Sequence, residues 1–176
     1  MISPKEFAKK WKELWEKDPI KFSAEVLKGL EVDEEVKSFL MEGGLPDEAP
    51  LLNFETELPL YAIEEDLSDY KYLGFTSWGD PICLYEGDGS VVYLDHENDY
   101  EYETFINSSI PQLAETLLVY SQMIQEARKE NGEDAILNNN IPERLKHWLL
   151  EELKRIDPPA VEGGFWQAEL ENLDEE

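Results

Sequence analysis

The chain has 176 residues, 41% of them hydrophobic and 11% aromatic, which is enough for one domain with a real core and argues against intrinsic disorder. Fifteen basic residues face 41 acidic ones, for a formal net charge of −26. That balance argues against binding nucleic acid by neutralising phosphates, and it disfavours anionic membrane surfaces. It favours a basic partner met through electrostatic steering, with plain solubility as the alternative explanation.

The charge is unevenly spread. Between Lys37 and Arg128 the only basic residue is Lys71, whereas the same interval holds 19 acidic residues. The other 14 basic residues lie in the two ends, where Lys and Glu mix as on solvated helices. Cys83 is the sole cysteine, so no internal disulfide forms, and its place in Ile82-Cys83-Leu84 predicts a buried packing role. The N-terminus lacks the apolar core of a signal peptide, and no run reaches transmembrane length. A reducing, cytoplasmic setting is the expectation.

In chain order, Ser3-Pro4-Lys5-Glu6 forms a capping box, and Phe7, Trp11, Leu14 and Trp15 then make one helical stripe. Asp18-Pro19 predicts a restarted helix with Phe22, Val26, Leu27 and Leu30 inward. Asp33 caps a third helix, with Val36, Phe39 and Leu40 buried and Gly43-Gly44 as its stop. From Leu51 the period changes to that of strands. Leu51–Phe54, Leu60–Ile63, Tyr70–Thr76, Pro81–Tyr85, Ser90–Asp95 and Glu103–Ile106 are the β candidates. Gly87-Asp88-Gly89 supplies a hairpin turn.

Asn107-Ser108-Ser109 then caps an amphipathic helix with Pro111 just inside its start. Ile110, Leu113, Ala114, Leu117, Leu118, Ser121 and Ile124 share its apolar face, and it ends near Asn131-Gly132. Asn140-Ile141-Pro142 caps another helix, with Ile141, Leu145, Trp148, Leu149 and Leu153 in its stripe and Asp157-Pro158-Pro159 as its stop. Trp166 should pin the tail, and Asp174-Glu175-Glu176 should fray. The order predicts a single α+β domain over residues 1–176. Its helical part is 1–44, its sheet-rich middle 50–107 and its second helical part 109–176. An antiparallel sheet of about four to six strands carries the terminal helices.

The search for chemistry finds little. His96 and His147 are far apart and in no ligand spacing, and no calcium-loop pattern is present, so no metal site is expected. Gly87-Asp88-Gly89 lacks the Lys-Ser/Thr ending of a phosphate loop, and capping accounts for Asn107-Ser108-Ser109. There is no nucleophile elbow and no Ser/His/Asp order. Carboxylate pairs abound, but with so many acids they arise by chance, so acid–base hydrolysis stays only as an alternative. No catalytic residue and no cofactor is assigned.

One pattern survives. Asp95, Glu97, Asp99, Glu101 and Glu103 occupy odd positions, with Tyr100 and Tyr102 between them. In an extended chain the five carboxylates would share one face and the tyrosines the other. The competing expectation is a loop broken at Glu97-Asn98-Asp99, because Asn and Asp form turns there. Either way these seven residues are the candidate partner-binding site, since unbalanced acids invite a basic surface and Tyr serves as an interface anchor.

Several motifs, in order, resemble the SUKH superfamily, in particular its bacterial immunity-protein groups. They are Gly44-Leu45-Pro46 after a helix, Asn53-Phe54, Tyr72-Leu73-Gly74, Asp80-Pro81-Ile82-Cys83-Leu84, Gly87-Asp88-Gly89-Ser90-Val91-Val92, Phe105-Ile106-Asn107-Ser108-Ser109 and the tail Trp166. The match is good from about Val36 to Tyr120 and looser at the ends. It departs at Leu113, where that family's helix often has an aromatic. The resemblance implies an α+β fold without enzymatic activity and with no catalytic residues to transfer. It also implies a stoichiometric partner: a cognate toxin, often a nuclease or nucleic-acid deaminase and hence commonly basic. An intracellular scaffold on the same fold, and a nucleic-acid mimic, are the other binding readings.

Overall fold

The computed structural model describes residues 1–56 and 60–175. Helix α1, Pro4–Trp15, begins where Ser3 Oγ accepts the Glu6 N–H at 3.2 Å, and it buries Phe7 and Trp11. Helix α2, Glu34–Glu42, buries Val36, Phe39 and Leu40. Between them the expected helix from Asp18 does not form. Ile20 instead exchanges backbone hydrogen bonds with Leu45, at 2.9 and 3.1 Å, and residues 24–29 make a run of turns. The backbone bonds of this run are mixed, one of α type from the Leu27 N–H to Ser23 O and two tighter ones from Lys28 to Glu25 and from Leu30 to Leu27, and the left-handed Gly29 (φ 84°) interrupts it. Phe22, Leu27 and Leu30 are buried nonetheless, so the apolar spacing was right and the element type was not. Gly44 makes the Ile20–Leu45 contact possible: its φ is 75°, and a Cβ there would overlap the Ile20 carbonyl.

Five strands follow: β1 Leu52–Phe54, β2 Tyr70–Thr76, β3 Pro81–Tyr85, β4 Val91–Leu94 and β5 Glu103–Asn107. They form one antiparallel meander in chain order. The expected strand Leu60–Ile63 is reduced to a single bridge, Ala62 with Lys71. The reason is competition: β1 already occupies that edge of β2 along Gly74–Thr76. Other chain lies against both outer edges of the sheet. Beyond β1, the Phe54 N–H reaches Asp47 O at 3.1 Å and the Ala49 N–H reaches Leu52 O at 3.0 Å. Beside β5, Gly164 (φ 92°) lies so close to the Phe105 carbonyl that no Cβ would fit.

Helix α3, Ile110–Asn131, starts at Ser109, whose Oγ accepts the Gln112 N–H at 3.3 Å. The predicted apolar face is buried, but so are Thr116, Val119, Tyr120 and Met123. This helix is therefore enclosed nearly all round, with α1, α2 and β5 among its neighbours. Helix α4, Glu143–Ile156, packs along it through Leu145, Leu149 and Leu153. It begins after Pro142 rather than on an Asn140 side-chain cap, and Asn140 instead accepts from the Asn131 amide. The tail folds into a helix that its sequence did not announce, α5, Phe165–Asp174, with Trp166 fully buried as expected. Glu176, in the run expected to fray, lies outside the described residues.

A buried polar knot joins these pieces. Asp157, with no exposed surface, ends α4. Its carboxylate accepts the Ser108 hydroxyl at 2.6 Å, the Ser108 N–H at 2.8 Å and the Asn107 amide at 3.0 Å. Asn107 also donates to Thr116 Oγ1 at 3.2 Å and accepts the Trp166 indole N–H at 2.9 Å. Capping therefore accounts for Ser109 alone; Asn107 and Ser108 serve Asp157. Asp157→Ala strands these donors in a buried site, and we expect urea titration to show a loss of about 3 kcal/mol. Lys12→Ala, which removes an exposed pair with Asp18, should change stability by less than about 0.5 kcal/mol in the same assay.

Candidate functional site

The sheet's two faces differ. Ile82, Leu84, Val91 and Ile106 belong to the main core with the helices. The opposite face carries a smaller cluster of Cys83, Val92 and Leu94, covered by Ile63, Leu67 of a single 3₁₀ turn (Glu65–Leu67), Tyr70 and Tyr100 rather than by an α-helix. Alternation along β3 and β4 produces this division, since Cys83 and Val92 are register partners between residues that point inward. Tyrosines populate this outer face. Tyr70 stacks on Tyr85 at 4.8 Å, and Tyr61 stacks on Tyr72 at 5.2 Å.

The loop from Asp95 to Tyr102 is not extended. Asp95 accepts the Glu97 N–H at 2.9 Å and the Asn98 side-chain amide, which turns His96–Asn98 into one 3₁₀ turn. Asp99 and Tyr100 then take left-handed backbone angles, φ 52° and 62°. The single-faced acidic strip is thus overturned by the broken loop, for the reason that Asn98-Asp99 suggested. The turn divides the predicted residues. Asp95 is occupied by capping, and Asn98 and Glu97 hold its carboxylate below the usual range. Glu97 stays on the exposed turn, and Tyr102 stands 63% exposed.

Asp99, Tyr100, Glu101 and Glu103 instead meet a segment that the sequence reading had not connected to them. With Glu64 and Asp66 they surround a hollow of about 360 Å³, floored by Leu67, Leu94 and Tyr70. Glu103 accepts the Tyr70 hydroxyl at 2.5 Å, a bond that, with burial, raises the Tyr70 pKa and keeps the phenol a neutral donor. All five carboxylates are solvent-exposed. The acidic run Glu64-Glu65-Asp66 was the available signal for the missed wall; its pairing across the sheet was not.

A second group holds the loop at its base. Asp80, largely buried, accepts the His96 N–H at 3.0 Å and the Trp78 indole N–H at 2.6 Å, and lies 2.5 Å from His96 Nδ1. Asp80, Asp95 and His96 each bring one possible ligand atom within 4.8 Å of the others. Because both Asp80 oxygens already accept hydrogen bonds, hydrogen bonding accounts for the grouping. The Asp80 hydrogen bond and charge, aided by Glu97 and Asp95, raise the His96 pKa above its ordinary 6.5.

A family model of the SUKH-4 immunity protein matches residues 8–172. The chain belongs to the SUKH-4 immunity protein family. No curated protein and no solved structure matches it. No described helix is long and apolar enough to cross a membrane.

Two measurements check this geometry. A raised His96 pKa means that the charged ring favours the folded loop. That contribution is complete below pH 6.5 and is lost as pH rises through the raised value. NMR titration should give a His96 midpoint above 6.5 that falls in Asp80→Asn. Burial pushes the Cys83 thiol up to about 12, so thiol reagents at neutral pH should label it only after denaturation.

Proposed function

We propose that this chain neutralises a cognate toxin with a basic surface by binding it stoichiometrically in the cytoplasm through the outer sheet face. The observation that supports the reading is the unbalanced acidity of the middle, 19 acids to one lysine, of which Glu64, Asp66, Asp99, Glu101 and Glu103 line one hollow on the outer sheet face. Lys71 does not offset the hollow, because it pairs with Glu86 at 3.4 Å. The contact residues are Asp99, Tyr100, Glu101 and Glu103, with Asp95, Glu97 and Tyr102 at the margin. Charge complementarity of this kind gives fast, salt-dependent encounter. A nuclease or nucleic-acid deaminase toxin supplies the matching cations, since such enzymes hold a polyanion.

The role is non-catalytic and needs no cofactor. The carboxylates of the hollow are exposed and open to water, which suits binding better than hydrolysis. The same −26 charge disfavours nucleic acid and membrane as partners. A cytoplasmic scaffold is the second reading, and it predicts a host partner with no protection.

Mixing the chain with the toxin encoded beside it tests the proposal. One-to-one inhibition is expected, weakening as salt rises. A Glu101→Lys, Glu103→Lys double variant should bind at least ~100-fold more weakly, mostly through faster dissociation for the desolvated contacts. Toxin activity that survives excess protein would falsify the reading.

A further inference from the structure

We infer that Trp78 is an aromatic anchor of the partner interface, the seat of one cationic side chain of the toxin at the end of the sheet. The inference rests on the toxin-binding reading and adds a contact outside the hollow of the outer face. Trp78 is 48% exposed, although tryptophan is on average a well-buried residue. It is exposed without being loose. Its indole N–H donates to the Asp80 carboxylate at 2.6 Å. Phe165 stacks on its ring at 6.1 Å, and Tyr93 meets it edge-on at 5.9 Å.

The turn that carries it is tied at several points. The Thr76 N–H reaches Asp80 O at 2.8 Å, the Asp80 N–H reaches Thr76 Oγ1 at 3.0 Å and the Ser77 N–H reaches Leu51 O at 3.1 Å. A ring held in this way loses little rotamer freedom when a partner covers it, which is the pre-organisation an interface anchor needs. Packing on Phe165 and Tyr93 uses one part of the ring, and the exposed part is left to solvent.

Charge decides what covers it. Three segments meet at Trp78: the turn 77–80, the loop from Asp95 to Tyr102, tied to that turn through Asp80 and His96, and the start of α5. None of them contains Lys or Arg, and neither do residues 72–127 and 156–176 as a whole. His96 is the one group there able to carry positive charge, and Asp80 engages it at 2.5 Å. A partner's cation therefore meets no Lys or Arg from these segments beside the ring, and indole offers the strongest of the aromatic cation–π contacts. An anionic or apolar side chain would gain no such complementarity. The tie through His96 also sets the anchor beside the loop that carries Asp99 and Glu101, so one partner surface spans both.

The test uses the intact protein and the toxin encoded beside it. With 5-fluorotryptophan at all five tryptophans, the ¹⁹F signal of Trp78 is assigned with Trp78→Phe. On complex formation that signal should shift and lose its solvent isotope effect, while the fully buried Trp166 keeps its position. Trp78→Ala should bind about 30-fold more weakly, mainly through faster dissociation. Site-specific replacement of Trp78 by tryptophans of increasing ring fluorination, which draws charge from the ring face, should lower affinity stepwise. These fluorine readouts keep the side chain's shape and do not depend on the Ala variant folding. Leu137→Ala, an exposed apolar side chain between α3 and α4, is the control and should leave affinity unchanged.

A tight complex in which Trp78 keeps its solvent isotope effect, or an affinity indifferent to ring fluorination, overturns the anchor and leaves the immunity reading standing. Equal losses in Trp78→Ala and Leu137→Ala overturn it as well. Absence of any complex overturns both.

Discussion

A single buried carboxylate holds the architecture together. Asp157 has no contact with solvent, and a charge in that position is tolerable only if donors surround it. Here the donors come from Asn107 and Ser108, about fifty residues earlier in the chain. The knot fixes the end of β5, the start of α3, the end of α4 and, through the Trp166 indole, the start of α5. The packed core already fixes these elements, and hydrogen bonds of defined length and direction add a directional constraint where they meet. The inner face of the sheet is settled in the process, and the outer face is left with little structural duty.

That division explains where the acidity lies. A net charge of −26 works against a compact state through self-repulsion. Five carboxylates of the middle, Glu64, Asp66, Asp99, Glu101 and Glu103, line the hollow of the outer face, whereas the mixed Lys–Glu sequences lie on helices. Pairs such as Lys10 with Glu6 and Lys154 with Glu151 lie one helical turn apart and are exposed. The tyrosine stacks add to the small apolar cluster in holding the outer face together.

The parts of the fold legible in the sequence were those set by neighbours in the chain. Ser3 and Ser109 announced their helices through capping, and β2 and β3 could be read from alternation bounded by turns. What escaped were contacts between distant segments. The pairing of Ile20 with Leu45 replaced a helix by extended chain and turns, and the occupied edge of β2 left Leu60–Ile63 with one bridge. Asp157 read as a helix stop, and nothing local revealed that it would be buried against Asn107. The candidate site was half legible for the same reason. Asp99 to Glu103 could be singled out by composition, but the opposing wall at Glu64 and Asp66 exists only because the sheet brings the two loops together. The alternation that suggested a flat strip was real in sequence and was cancelled by a turn at Asn98.

The obstructed sheet edges bear on how this scaffold meets a partner. Chain beside β1 hydrogen-bonds that outer edge, and Gly164 crowds β5 at Phe105, so a further strand would meet an obstruction at both places. That favours contact through side chains of the outer face, where a residue can change without moving the backbone. Such a face can be rewritten one residue at a time without shifting the register of a strand.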